Sequence, residues 1–155
     1  MQQVQNTSTP VTGITLVGSY LPRTRLLRKA IAAANSWANP GLVSRGRGHR
    51  AVCSHDEDAI TMALHFASTT PPFADRQNAG IISEALSLPA SLRTLDASGS
   101  LRCATSSLIA ALSSGETQLL VAADKRRTQP ASAMEMTVGD AAAAVVTGQQ
   151  ELMAT

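Results

Sequence analysis

The sequence predicts an α/β fold built on a largely parallel sheet, and three observations carry that prediction. Short apolar, β-branched runs alternate with segments of helical periodicity, the pattern that right-handed crossovers join into one sheet. The 155 residues hold 44% hydrophobic and 15% charged side chains, the balance of a globular domain with a buried core. Aromatic residues make up 3% while alanine is abundant, which suits helices packed closely on a sheet better than an aromatic-rich β-sandwich.

The elements follow in order. Residues 1–12 read as a disordered lead-in, polar up to Pro10. Residues 13–148 form the folded unit, and 149–155 a tail without a recognisable closing element. Gly13 to Tyr20 alternates as a strand and stops at Pro22. From Thr24 to about Trp37 apolar residues recur at helical spacing, and Asn39-Pro40-Gly41 closes that helix. Ser44 to Arg50, with Gly46 and Gly48, reads as a loop.

Ser54 before Asp56-Glu57-Asp58 is a helix start, with a capping hydroxyl and then acids at the positive end of the dipole. That helix is short, reaching only to about Leu64. Leu64 to Thr70 reads as a strand running into Pro71-Pro72, and Asn78 to Leu88 as an amphipathic helix ended by Pro89. Leu92 to Asp96 is a compact strand, followed by the turn Ser98-Gly99-Ser100. Leu101 to Leu112 is small or apolar almost throughout, which predicts a helix buried all round and ended by Gly115. Gln118 to Asp124 is a buried strand, Lys125 to Ser132 a polar loop, and Gly139 to Thr147 a last strand.

Charge excludes little. Thirteen Lys and Arg against eleven Asp and Glu leave +2, too little to point to nucleic acid. The basic residues do cluster, at Arg23, Arg25, Arg28 and Lys29 and again at Arg45, Arg47 and Arg50. Such a cluster is either a solvated face or a landing site for an anionic ligand such as the phosphates of coenzyme A. Two cysteines, Cys53 and Cys103, make neither a disulfide framework nor a zinc site, and no metal is expected. No apolar run approaches the ~20 residues of a membrane span, so no membrane partner is expected. The N-terminus lacks the basic and apolar regions of a signal peptide, and a reduced cytoplasmic setting follows by default.

Several segments carry a further likeness through their number and order: GITLVGSYLPRTRL from Gly13, HRAVCSHDEDAITMA from His49, FASTTPPFADRQNAG from Phe66, and DASGSLRCATSSLIAAL from Asp96, with LLVAADKRR and GDAAAAVV after it. Together they resemble the thiolase superfamily, most closely HMG-CoA synthase-like proteins and type III 3-oxoacyl-ACP synthases. The resemblance implies one βαβαβαββ half of a two-half sandwich, with the second half, which supplies the catalytic His and usually Asn, absent. It also implies acyl transfer and Claisen-type condensation on acyl-CoA or acyl-carrier-protein thioesters. Coenzyme A enters as a thioester substrate and no bound cofactor is expected. None of His49, His55 and His65 lies in a segment that matches the second-half motif.

In such proteins a strand ends in Asp, the nucleophilic Cys follows five positions later, and a Thr lies four beyond the Cys. Asp96 and Thr105 fit that frame without a gap, and the slot between them is Leu101. Cys103 sits two positions later, about 200° around an ideal helix, and is expected to point away from a substrate tunnel. Three readings stand open: Cys103 as nucleophile through a register shift, a branch of the family without an acyl-cysteine, or a degenerate or truncated product. The plain alternative for Cys103, and equally for Cys53, is a small buried residue.

Trp37 with Arg45 and Arg47 resembles the Trp and Arg that flank the adenine of coenzyme A in the type III synthases; packing of Trp37 against the sheet is the structural alternative. Asp56, Glu57 and Asp58 read as helix-start acids rather than a catalytic pair, and Thr69 and Thr70 with Pro71 as a turn near a tunnel mouth. The family fits a longer helix before the strand at Leu64, so about 11 helical residues and a loop of about 5 are expected to be reduced here, leaving a patch of sheet uncovered. The partners implied are an acyl-CoA or acyl-carrier protein, a second copy in a homodimer, or a thiolase or OB-fold zinc-ribbon protein that the chain would serve as a non-catalytic subunit.

Overall fold

In the computed structural model, residues 11–53, 66–149 and 151–153 are described. The expected helix at 56–64, its shortening, and the residues His55 and His65 lie outside them. The strands are β1 (Gly13–Tyr20), β2 (Arg25–Leu27), β3 (His49–Ala51), β4 (Phe66–Ala67), β5 (Gln118–Asp124) and β6 (Ala141–Gly148). The helices are α1 (Arg28–Asn35), α2 (Asn78–Ala85) and α3 (Cys103–Ser114), with 3₁₀ turns at Pro40–Arg45 and Ala133–Met136.

Four strands form the main sheet in the order β1-β6-β5-β4. β6 runs antiparallel to both β1 and β5, whereas β4 is parallel to β5. β1, β5 and β4 therefore share one direction, which is the mostly parallel sheet expected, and β6 is the reversed strand. Among the described residues the sheet continues beyond β4 as a parallel bridge between Ala67 and Ala97.

Strand alternation assigns the two faces. Phe66 packs with Ala79 and Ile82 of α2 and with Ala123 and Ala142 of the sheet. Its neighbour Ala67 points the other way, to Cys103 of α3 and Leu120. α2 and α3 thus cover opposite faces, and alanines at 67, 97, 104, 122 and 123 let helix and sheet approach closely. A separate lobe is held by Ile31 and Ala32 of α1, Leu42 and Met136.

Several elements depart from expectation for physical reasons. Arg25–Leu27 opens the predicted helix but pairs with His49–Ala51, so a two-stranded ladder replaces the first helical turn and part of the predicted loop. Leu92–Asp96 forms no strand, because its segment meets the sheet only at Ala97 and most of it is exposed. α3 is not buried all round. It packs through Cys103 and Ala111, with Ala104 and Leu108 half-buried, while Ile109 on the opposite side is 60% exposed. Leu16 and Val17, on opposite faces of β1, are also exposed at the far edge of the sheet, whereas the uncovered patch expected beside the 56–64 helix lies outside the described residues. The tail folds back: the Met153 N–H donates to the Ile14 carbonyl at 2.6 Å, and Gln149 Nε2 to the Gly115 carbonyl at 2.7 Å.

The N-terminus of α2 is capped from a distance. Its own cap residue, Gln77, makes no side-chain cap bond. Asp96 instead accepts from the Asn78 N–H at 2.7 Å and Asn78 Nδ2 at 2.8 Å through Oδ2, and from the Ala79 N–H at 2.8 Å through Oδ1. The buried Asn78 side chain also bonds both backbone groups of Phe73. Asp96→Ala is expected to cost about 2–3 kcal/mol, because donors at the helix start lose a charged acceptor; Asp96→Asn should retain part of this. Equal denaturation midpoints for wild type and Asp96→Ala would contradict the capping role. At the C-terminal end of α3, Gly115 adopts φ 74°, so Gly115→Ala should lower stability by about 1 kcal/mol in the same assay.

Candidate functional site

The site is built where the sheet edge hands over to α3. The Ala97 N–H donates to the Phe66 carbonyl at 3.0 Å, and the Ser68 N–H to the Ala97 carbonyl at 3.1 Å, fixing the segment after Asp96 against β4. Gly99, at φ 82°, turns the chain. Ser100 closes the turn, its Oγ accepting from the Arg102 N–H at 3.1 Å and its carbonyl from the Cys103 N–H at 3.2 Å. α3 then begins at Cys103, whose thiol sits in the first turn of the helix.

Beside this turn lies an open cleft of about 590 Å³, lined by Phe66, Asp96, Ala97, Cys103 and Leu120 with Ser98, Ser100, Ser106, Ser107 and Gln118. It combines an apolar floor with a rim of hydroxyl and amide groups, the make-up of a small-molecule site. Cys103 is 7% exposed and packs on Ala67 and Leu120. Leu101, in the slot expected for a nucleophile, is 75% exposed and does not line the cleft. Thr105, the other frame residue, is exposed on α3. Thus Asp96 and Cys103 come together and Leu101 stays outside, which corrects the expectation that Cys103 points away: α3 begins at Cys103 itself, so its side chain faces the sheet beside the cleft.

A second polar centre, which sequence reasoning did not single out, gathers at the end of β5. Asp124 Oδ1 accepts from Ser68 Oγ at 3.0 Å, the Thr69 N–H at 2.9 Å and Thr69 Oγ1 at 2.9 Å, and Arg126 donates to Thr69 Oγ1 at 3.2 Å. The predicted Thr69-Thr70-Pro71 turn is therefore pinned to the sheet by a carboxylate. A polar residue ending an apolar strand was the signal for it.

Trp37, Arg45 and Arg47 lie on the α1 lobe, and none of them lines the cleft. Trp37 is 85% exposed, which sets aside its packing against the sheet. It follows the C-terminal end of α1, while the 45–47 segment returns to the other end, where Gly46 approaches the backbone of Lys29 and the Arg47 carbonyl accepts from Arg28. An eight-residue helix, about 12 Å long, separates the two positions. Cys53 is buried, its N–H donating to Asp140 Oδ2 at 2.9 Å. Among the described residues no three His, Cys, Asp or Glu side chains gather as a metal site, and no helix is long and apolar enough to cross a membrane.

No protein-family model matches the sequence, and no curated protein does. Solved structures do. MvaS in complex with 3-hydroxy-3-methylglutaryl coenzyme A is similar at TM-score 0.74 and 21% identity over 90% of this chain and 40% of its own. A variant of OleA from Xanthomonas campestris gives 0.74 and 18% over 92% and 56%. The 3-oxoacyl-(acyl carrier protein) synthase III, FabH, from Pseudomonas aeruginosa PAO1 gives 0.70 and 22% over 89% and 51%. The chain spans between two fifths and just over half of the length of these neighbours. The strand directions, the helices on both faces and these likenesses give one conclusion: the chain has the thiolase-like fold of the condensing enzymes, over part of their length.

Proposed function

We propose that this chain is a condensing-enzyme-type protein, related to HMG-CoA synthases and 3-oxoacyl-ACP synthases, that handles acyl-CoA or acyl-carrier-protein thioesters and has little or no condensing activity by itself. The observation that carries the reading is the turn from Asp96 to Cys103, which follows the frame of such sites but puts Leu101 in the nucleophile slot. The curacin HMG synthase, a further neighbour in fold at TM-score 0.73 and 17% identity, is known in complex with an apo donor acyl-carrier protein, which supports a carrier as partner here.

The chemistry explains the expected inactivity. Acyl transfer to an enzyme needs a thiolate that can reach the thioester carbonyl; Cys103 lines the cleft but is 7% exposed and packs on Ala67 and Leu120, two positions past the slot that Leu101 fills. The carbon–carbon bond-forming step then needs a proton-transfer residue and an oxyanion hole. Among the described residues the one histidine, His49, lies on β3 in the α1 lobe and does not line the cleft. The roles left to this chain's residues are binding and positioning: the serine-rich rim toward a polar acyl or pantetheine group, and Trp37, Arg45 and Arg47 toward the nucleotide of coenzyme A.

A second reading rests on α3. From Cys103 to Ser114 it carries no charged residue, yet Ile109 and the preceding Leu101 face outward. Uncharged, apolar surface of this kind is covered in functional assemblies. A non-catalytic subunit that docks a thiolase, an OB-fold protein or a second copy through this face follows from it. Sedimentation as a monomer at high concentration would count against that reading.

Intact-mass spectrometry after incubation with acetyl-CoA separates the cases. No acyl adduct is expected on the wild-type chain. A stoichiometric adduct that disappears in Cys103→Ala would make Cys103 a working nucleophile and overturn the expected inactivity.

A further inference from the structure

The α1 lobe carries a charge pattern that the cleft does not use. Residues 11–53 contain seven Lys and Arg and no Asp or Glu. The fold gathers rather than disperses them. The ladder of β2 and β3 sets His49 opposite Leu27 beside Arg25, and the Arg28 N–H donates to the Gly48 carbonyl at 3.1 Å, so the 45–49 segment lies against the start of α1. Arg28 and Lys29 occupy the first turn of α1, which has no acid and no side-chain cap. Cations at the positive end of a helix dipole are unfavourable, and an external anion relieves that arrangement.

Arg50 is spent internally, donating to the Arg126 carbonyl at 3.1 Å. Arg23, Arg25, Lys29, Arg45 and Arg47 are exposed. The ion pairs among the described residues, Arg76–Asp75 and Arg93–Glu116, lie elsewhere.

The same lobe exposes apolar side chains as well: Leu21, Leu27 and Val43, with Trp37 past the far end of α1. This combination selects among anionic partners. Single-stranded nucleic acid is held on stacking platforms of several aromatics, and the lobe sets a single exposed Trp among aliphatic residues. A bilayer interface takes both components: acidic headgroups attract the cations, while Trp and Leu enter the boundary with the acyl chains. We infer that the α1 lobe is a docking surface for an anionic lipid bilayer, onto which the chain settles peripherally. This goes beyond the thioester-handling reading and does not depend on it, although Trp37, Arg45 and Arg47 are shared with the proposed coenzyme A contact. The absence of a membrane-spanning helix among the described residues bears on insertion and leaves surface docking untouched.

Trp37 is the only tryptophan of the sequence, so its fluorescence reports on the lobe directly. The full chain is titrated with vesicles of phosphatidylcholine alone and of phosphatidylcholine with phosphatidylglycerol. The anionic vesicles should shift Trp37 emission to shorter wavelength and co-sediment the protein, with affinity falling steeply as salt rises; neutral vesicles should do neither. The triple change Arg23→Glu, Arg25→Glu, Lys29→Glu, checked for native circular dichroism, should weaken binding at least about a hundredfold. Three results would each overturn the inference: no binding to anionic vesicles, equal binding to neutral ones, or co-sedimentation without a Trp37 shift. Wild-type binding and its salt dependence decide the matter even if the triple variant fails to fold.

Discussion

The structure turns on one carboxylate. Asp96 stands immediately before the Ala97 bridge at the edge of the sheet, and its two oxygens hold the first amides of α2 and the buried amide of Asn78. Three bonds to a charged acceptor fix α2 on one face of the sheet at the place where the chain crosses to α3 on the other. The turn at Ser98-Gly99-Ser100 inherits its position from that anchor, and so does the thiol of Cys103. A residue that family resemblance marks only as a landmark near a nucleophile is, physically, the cap of a helix distant in sequence.

The placement of Cys103 and Leu101 follows from the same anchor. Once the turn is closed by Ser100, the first helical residue is Cys103, and helical geometry directs its thiol down onto Ala67 and Leu120. Leu101 precedes the helix and projects outward. An apolar side chain there is costly to leave in water, and so is Ile109 on the outward side of α3. The two exposures together describe a surface shaped for contact, beside a cleft with a polar rim and the Cys103 thiol packed into its floor.

Much of this was legible in the sequence. The alternation of strands and helices pointed to the α/β class: the helical spacing read after Thr24 appears in α1, and the short apolar run Gln118–Asp124 appears as β5. The reversed direction of β6 was not legible, since an all-alanine run such as 141–144 records burial and not orientation. Arg25–Leu27 read as helix because its pairing with His49–Ala51 depends on residues two dozen positions away. The burial predicted for α3 failed for a related reason: composition shows that a helix avoids water, and only the tertiary layers show what covers it. The Asp96 frame was legible as spacing, but its bonds to Asn78 and Ala79 were not, because capping at that distance leaves no local pattern.

The displaced thiol is the central claim, and alkylation of the native protein tests it most directly. Iodoacetamide labelling of Cys103, followed by peptide mass spectrometry, should be far slower in the folded chain than in denaturant, whereas a cysteine placed in the slot by Leu101→Cys should react at the rate of an exposed thiol. Native Cys103 labelled as fast as the unfolded chain would contradict the account, since the thiol would then stand at the opening of the cleft.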